Sequence, residues 1–176
     1  MATRRFFMGL AIASIFGIGI WLLGFAPQAT AETLNFKTFT HVTKGETFPI
    51  PDAEGHLVSS LVREGVWIFE NGELGWNRGI IITDTTKGAG NMELYSITTF
   101  QDGSTIISHS KGTQQATSAG VPSGVKRTGE IIHGTGRFQG IKGTLTTSSK
   151  VFPPEKGELG GKALVEGILV YTLPGK

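Results

Sequence analysis

Two glutamates and one histidine are the residues of this sequence best suited to move protons. Glu64 and Glu166 each alternate with valine, leucine or isoleucine at every second position, which places them on apolar faces of predicted strands. A carboxylate on such a face is costly unless it is paired or its pKa is raised. If both point inward, they could act as general acid and base or orient a polar group of a ligand. His109, in the middle of a strand with apolar neighbours, is the third catalytic candidate.

The two glutamates also have a purely structural interpretation. Their strand faces could form the outer surface or a subunit interface, with Arg63, Arg78 or Lys162 as ion-pair partners. The sequence leaves both interpretations open, so it does not decide whether the chain is an enzyme.

Four aromatic residues are the candidates for binding a ligand. Trp67, Trp76, Tyr95 and Phe138 could line an apolar pocket. The alternative is that they simply fill a core, which is the more common role of aromatic residues in strands.

Several other chemistries find no support in the sequence. It contains no cysteine, which removes disulfides, a thiolate nucleophile and cysteine metal sites. The four histidines, His41, His56, His109 and His133, are separated by 15, 53 and 24 residues, and none of these separations is a local metal-ligand spacing. There is no Gly-x-Ser-x-Gly turn, and no glycine motif opens a helix as in a dinucleotide site. We therefore predict no metal and no cofactor.

The elements that must position these residues are strands. Alternation with a period of two recurs along the chain, and the 26 glycines of 176 residues indicate many turns and close backbone approaches. We predict an all-β domain of about eight strands, arranged as a closed or nearly closed antiparallel barrel. A barrel is favoured because neither face of the central hairpin is cleanly apolar or polar, which is typical of a wall with a partly polar interior.

The central hairpin, between Met92 and Lys111, gives the most specific expectation. Asp102-Gly103 is a dipeptide typical of a two-residue turn. Such a turn would place Phe100 opposite Thr105, and Ser96 opposite His109 on one face.

Two segments are predicted to be irregular. The first strand runs from Leu34 to Val42, and residues 44–55 follow it without regular structure because Pro49 and Pro51 exclude a central strand. Residues 112–124 have almost nothing to bury and are predicted to form a loop, near the mouth of the barrel, that could act as a lid.

The segment from Gly134 to Gly143, Gly-Thr-Gly-Arg-Phe-Gln-Gly-Ile-Lys-Gly, resembles the signature of the allene oxide cyclase and dirigent-like barrel family. Its glycines permit a tight reversal, and Phe138 can turn inward to close one end of a barrel. The resemblance implies an eight-stranded antiparallel, calycin-type barrel, commonly a homotrimer, with a cavity for a small hydrophobic or aromatic molecule. No polar pocket of the cyclases or dirigent proteins can be matched residue by residue.

Two functions follow as hypotheses. The first is a barrel that binds a small hydrophobic or aromatic molecule in its lumen or acts as a scaffold. The alternative is a cofactor-independent cyclase or isomerase in which Glu64, Glu166 or His109 moves protons. A lumen filled by large side chains would instead favour a structural module.

The beginning of the chain predicts export. Residues 1–31 combine Arg4 and Arg5, an uncharged apolar run over 6–25, and the Ala-x-Ala pattern ending at Ala31. We expect a signal peptide followed by a single barrel domain over 32–176, in the periplasm or secreted. The run is also long enough to span a bilayer, so an uncleaved anchor is the alternative and the only predicted membrane contact.

The charge of the domain argues against nucleic acid as a partner. The chain has 16 basic and 14 acidic residues, and removing Arg4 and Arg5 with the leader leaves 14 of each. The remaining sequence has no basic run of the kind that holds phosphate backbones.

Overall fold

The strands close into a single antiparallel barrel. The computed structural model describes residues 30–174. The strands are β1 (Glu32–Pro49), β2 (His56–Phe69), β3 (Leu74–Thr86), β4 (Ala89–Phe100), β5 (Thr105–Ala116), β6 (Pro122–Gly134), β7 (Lys142–Val151) and β8 (Ala163–Thr172). Each pairs with its neighbours in the chain, and β8 pairs with β1 to close the ring. The predicted all-β closed barrel of eight strands is confirmed.

Most of the predicted leader lies outside the described residues, which begin at residue 30. Within the described range, no helix has the length and hydrophobicity of a membrane span. The signal or anchor helix over 1–31 therefore stays a prediction.

Alternation along the strands divides the barrel into an inner and an outer face. Along β3, for example, every second residue from Gly75 to Thr85 is buried, and the residues between them are exposed. At one end of the barrel large inner residues pack into a closed cluster, called the plug below, which Phe138 joins from a short 3-10 helix at Gly136–Phe138. The other members of the plug include Phe36, Trp67, Phe69, Phe100, Leu169 and Tyr171. Gly136 has φ +59°, and an added Cβ would lie 2.4 Å from Ser104 Oγ, so this reversal needs glycine.

The first strand is longer than predicted. Residues 44–49 continue β1 and pair with β2, with a register shift between Val42 and Lys44. The prediction of an irregular segment over 44–55 was wrong for this part because Pro49 is the last residue of the strand, where a missing N–H is tolerated.

The register of the central hairpin differs by one residue from the prediction. Its loop has three residues, 101–103, because the Phe100 N–H donates to Ser104 O and the Gly103 N–H donates to Phe100 O. Thr105 therefore faces Thr99, and Ser96 faces Ser108. A one-residue slip moves a side chain to the opposite face, so His109 lies on the outside of the barrel.

The segment predicted as a long loop is mostly strand. β5 continues to Ala116 and β6 begins at Pro122, which leaves only residues 117–121 as a connection between the two strands. The sequence was misleading because these strand ends extend beyond the packed plug and line an open, partly polar mouth. Their lack of apolar residues reflects that location and not a loop.

Candidate functional site

The lumen contains a cavity of about 660 Å³. Its floor is the inner side of the plug, where the rings of Phe36 and Trp67 stack with their centroids 3.9 Å apart and their planes 4° apart. At the other end lie Glu54, Lys87 and the 117–121 loop, which contributes Ser118, Ala119 and Gly120 to the lining. The site is therefore a chamber closed at the plug and bordered at the opposite end by loops.

Most of the wall is apolar or carries hydroxyl groups. The apolar wall residues include Leu61, Ile81, Met92, Leu94, Val125 and Val165. Inward hydroxyl and amide groups bond mainly to each other across strands, as in Ser96 to Ser108 at 2.9 Å and Asn77 Nδ2 to Thr98 Oγ1 at 2.8 Å. Such pairs allow polar side chains to be buried in the barrel at little cost.

Two arginines place positive charge in the wall of the cavity. Arg63 of β2 and Arg127 of β6 both line the cavity. Burial lowers the pKa of each to about 10, and the positive charge of Arg63 is the second cause of the shift at Arg127. Both guanidinium groups are still protonated at neutral pH.

Residues of the two neighbouring strands position the side chain of Arg127. Arg127 pairs with Gly112 of β5, where an added Cβ would lie 2.7 Å from Arg127 Cγ. The absence of a side chain at Gly112 thus leaves room for the arginine stem along the wall. Its Nε donates to Thr147 Oγ1 of β7 at 3.2 Å, which fixes the orientation of the guanidinium group.

Sequence reasoning missed both arginines as site residues. Arg63 was considered only as an ion-pair partner for a glutamate, and Arg127 was not singled out. The available signal was strand parity, since Arg63 shares the face of Leu61 and Trp67. Parity alone could not decide between the two faces of β2, because Val62, Val66 and Ile68 make the opposite face apolar as well.

The three catalytic candidates do not line the cavity, and the structure does not bring them together. Glu64 points outward and lies 3.6 Å from Arg78 Nε, which is one of the partners that the structural interpretation named. Glu166 pairs with Lys37 at 2.9 Å on the outer surface, and this contact lowers its pKa. His109 stacks on an outward tyrosine and lies 2.6 Å from Glu93 Oε1. A catalytic role for any of them stays a prediction.

The four aromatic candidates separate into three locations. Trp67 lines the cavity floor. Phe138 is buried in the plug, with its ring centroid 4.8 Å from that of Phe100. Trp76 and Tyr95 are about half exposed on the outer face. Of these four residues, only Trp67 is therefore placed to contact a ligand in the lumen.

The ionisable residues offer little for a metal. Across residues 30–174, no group of three or more histidine, aspartate or glutamate side chains is placed to hold an ion. The nearest arrangement is His56 between two carboxylates, with Nδ1 2.5 Å from Asp52 Oδ1 and Nε2 2.9 Å from Asp84 Oδ1. These hydrogen bonds, that to Asp52 first, raise the pKa of His56.

These features define the class of protein: a closed eight-stranded antiparallel barrel with one plugged end and a chamber lined by apolar, hydroxyl and guanidinium groups. No protein-family model and no curated protein matches the chain.

Among solved structures, the pterocarpan synthase dirigent protein PsPTS1 is similar over 85% of this chain and 99% of its own, with 17% identity and a TM-score of 0.53. The pterocarpan synthase dirigent protein GePTS1 is 16% identical over 82% of this chain and 91% of its own, with a TM-score of 0.49. The similarity to PsPTS1 shows that the chain has a dirigent-like barrel fold. The narrower resemblance to allene oxide cyclases and calycins stays a prediction.

Proposed function

We propose that this chain is an exported barrel protein that binds a small hydrophobic or aromatic molecule in its lumen. The observation that carries the proposal is the cavity of about 660 Å³, which lies within the usual range for small-molecule sites of roughly 300–1,000 Å³. Its aromatic floor and apolar walls would bury most of such a ligand, and its inward hydroxyl groups could orient it.

The distribution of side chains favours binding over a purely structural role. A structural barrel would be filled by large side chains along its whole length. Here the plug fills one end. The rest of the lumen combines a second, smaller apolar cluster, which includes Ile81, Met92 and Leu94, with short polar residues such as Thr38 and Ser59, and it still encloses the cavity.

The same distribution favours binding over the cyclase or isomerase alternative. A reaction in the lumen that moves protons needs an acid or base there. The ionisable residues of the lining are Arg63, Arg127, Glu54 and Lys87, and the last two form an exposed ion pair at the mouth with a 3.0 Å contact. Glu64, Glu166 and His109 all face away from the chamber.

The test is a pair of tryptophan substitutions at adjacent positions on opposite faces of β6. Val125 is buried and lines the cavity, whereas Lys126 is exposed. We expect the neutral fluorophore N-phenyl-1-naphthylamine to bind the wild-type protein. Val125→Trp should weaken binding by about ten-fold or more because it fills part of the chamber, and Lys126→Trp should leave it unchanged. Equal binding by both variants, or none by the wild type, would overturn the proposal.

The export prediction is tested by a separate measurement. β1 begins at Glu32, directly after the predicted cleavage site at Ala31, so cleavage would leave the whole barrel intact. We expect mass spectrometry of the protein from its host to show Glu32 as the first residue. Intact protein in the membrane fraction would support the anchor, and intact protein in the cytoplasm would contradict export.

A further inference from the structure

The two arginines of the lumen stand on opposite sides of the barrel. β2 and β6 are four strands apart in either direction around the ring of eight, so Arg63 and Arg127 approach the chamber from facing walls. Both side chains line the same chamber, and the positive charge of Arg63 is the second cause, after burial, of the lowered pKa of Arg127. Two like charges in one enclosed space are unfavourable unless something between them compensates.

No carboxylate of the described chain supplies that compensation. Of the four arginines in residues 30–174, Arg78 and Arg137 lie within ion-pair distance of acidic residues, whereas Arg63 and Arg127 have no acidic partner. Arg63 donates only to neutral oxygens, Thr40 Oγ1 at 3.0 Å and the Gly161 carbonyl. The Nε of Arg127 donates to Thr147 Oγ1.

Hydrogen-bond donors of Arg127 therefore remain available to a ligand. A guanidinium group carries five N–H donors, and the protein hydrogen bonds of residues 30–174 leave both Nη atoms of Arg127 unengaged. Thr38, which also lines the chamber, is 3% exposed, and its hydroxyl has no partner in the described structure. A buried polar atom without a partner is unusual in a folded protein and is a reason to expect a bound molecule.

We propose that the lumenal ligand is an organic anion whose acidic group binds between Arg63 and Arg127. The proposal rests on the proposed binding function and narrows it. The shared chemistry is an oxyanion, such as a carboxylate or a sulfonate, because planar guanidinium groups hold oxygen pairs with charge-assisted bonds. The rest of the ligand is apolar, since Leu61, Ile81 and Leu94 of the wall and the stacked rings of the floor offer no charge.

A matched pair of probes tests the inference. The first is 8-anilinonaphthalene-1-sulfonate, an anion, and the second is N-phenyl-1-naphthylamine, which has the same ring system without the sulfonate. We expect the wild type to bind the sulfonate more tightly. Arg63→Met and Arg127→Met should each weaken sulfonate binding by about ten-fold or more, and should weaken binding of the neutral probe far less. Arg78→Met, on the outer face, is the control and should change neither.

Each other outcome contradicts a specific claim. If the neutral probe binds, but the affinity for the sulfonate is the same in the wild type and in the arginine variants, the anion site is refuted and the binding function stands. If neither probe binds the wild type, both proposals fail. If both probes lose affinity equally in the arginine variants, these side chains shape the barrel and do not recognise charge.

Melting temperatures with and without ligand show whether lost binding in a variant is caused by a folding defect. In the wild type, hexanoate and 1-hexanesulfonate should each raise the melting temperature more than 1-hexanol does at the same concentration. The increase should be lost in Arg127→Met and retained in Arg127→Lys at reduced size. Stabilisation by one anion only would distinguish a carboxylate from a sulfonate site, and an equal increase in Arg127→Met would overturn the inference.

Discussion

Arg63 and Arg127 project into one lumen from facing strands, and the charge of the first lowers the pKa of the second. In the barrel without a ligand, this arrangement opposes folding, because both arginines are partly buried and neither has an acidic partner among residues 30–174. The residues that prepare the chamber for an anion are therefore expected to reduce the stability of the empty protein.

The first prediction is that Arg127→Met stabilises the protein without ligand. Methionine keeps the length of the stem that lies beside Gly112 and removes the buried charge. We expect the free energy of unfolding in urea to rise by about 1 kcal/mol or more. Arg78→Met should change it by less than about 1 kcal/mol, because the Arg78 side chain is 58% exposed and its contact with Glu64 is long, at 3.6 Å. A decrease in stability for Arg127→Met would mean that its bond to Thr147 outweighs the charge.

Strand alternation and glycine spacing were sufficient to predict the barrel, but not the register of its central hairpin. Asp102-Gly103 is compatible with a two-residue turn that needs positive φ at both positions, and with a three-residue loop that needs it only at the glycine. In the structure, Gly103 has φ +80° and Asp102 is not in the positive region. The carboxylate of Asp102 instead accepts from the N–H and hydroxyl of Ser104, a local contact that the pattern did not reveal.

The site was harder to predict than the fold for a related reason. An error of one residue in the hairpin register placed His109 on the inner face. Arg63 and Arg127 were missed because charged residues are usually exposed. Whether a charged residue points inward depends on what the interior contains, and a cavity is a property of the assembled ring. Sequence patterns report which residues share a face, but not whether the space behind that face is filled.

The second prediction concerns pH. Hydrogen bonds to Asp52 and Asp84 raise the pKa of His56 above its ordinary 6.5, so the folded state binds this proton more tightly than the unfolded chain. The resulting stabilisation is fully present below pH 6.5 and is lost as the pH rises through the folded-state pKa. Thermal unfolding should therefore show the largest difference between wild type and His56→Gln near about pH 5.5, and the smallest near about pH 9.

A matched control separates this contact from the other titrating groups. His133 is exposed on β6, so His133→Gln controls for the general effect of removing a histidine from the surface. A His56→Gln difference that grows with pH would show that the proton is not held by Asp52 and Asp84. Measurements should stay above the carboxylate range, because the pKa of Asp52 is itself lowered by His56 and its contribution is lost as acid protonates it.

The third prediction tests the plug. Phe138 packs against Phe100, and the Arg137 guanidinium carbon lies 4.6 Å above the Phe138 ring centroid. Phe138→Ala should lower the free energy of unfolding by about 3–5 kcal/mol, because it leaves a cavity among buried aromatic rings. The matched change Phe39→Ala, at a side chain that is 53% exposed, should cost less than about 1 kcal/mol. Similar losses for both would mean that the plug is not the main stabilising core.

The last prediction is self-association. Trp76, Ile80 and Ile82 of β3 and Tyr95 and Ile97 of β4 form an outward cluster in which every side chain is about half exposed. A monomer rarely exposes so many large apolar side chains together, and the homotrimer implied by the sequence resemblance would cover them. We expect light scattering after size exclusion to give a multiple of the monomer mass, and Ile80→Asp to reduce it because a carboxylate would be desolvated in the interface. Leu159→Asp places the same charge on an exposed loop residue and should leave the mass unchanged. A monomeric wild-type protein would refute the homotrimer and leave the exposed cluster without its expected partner.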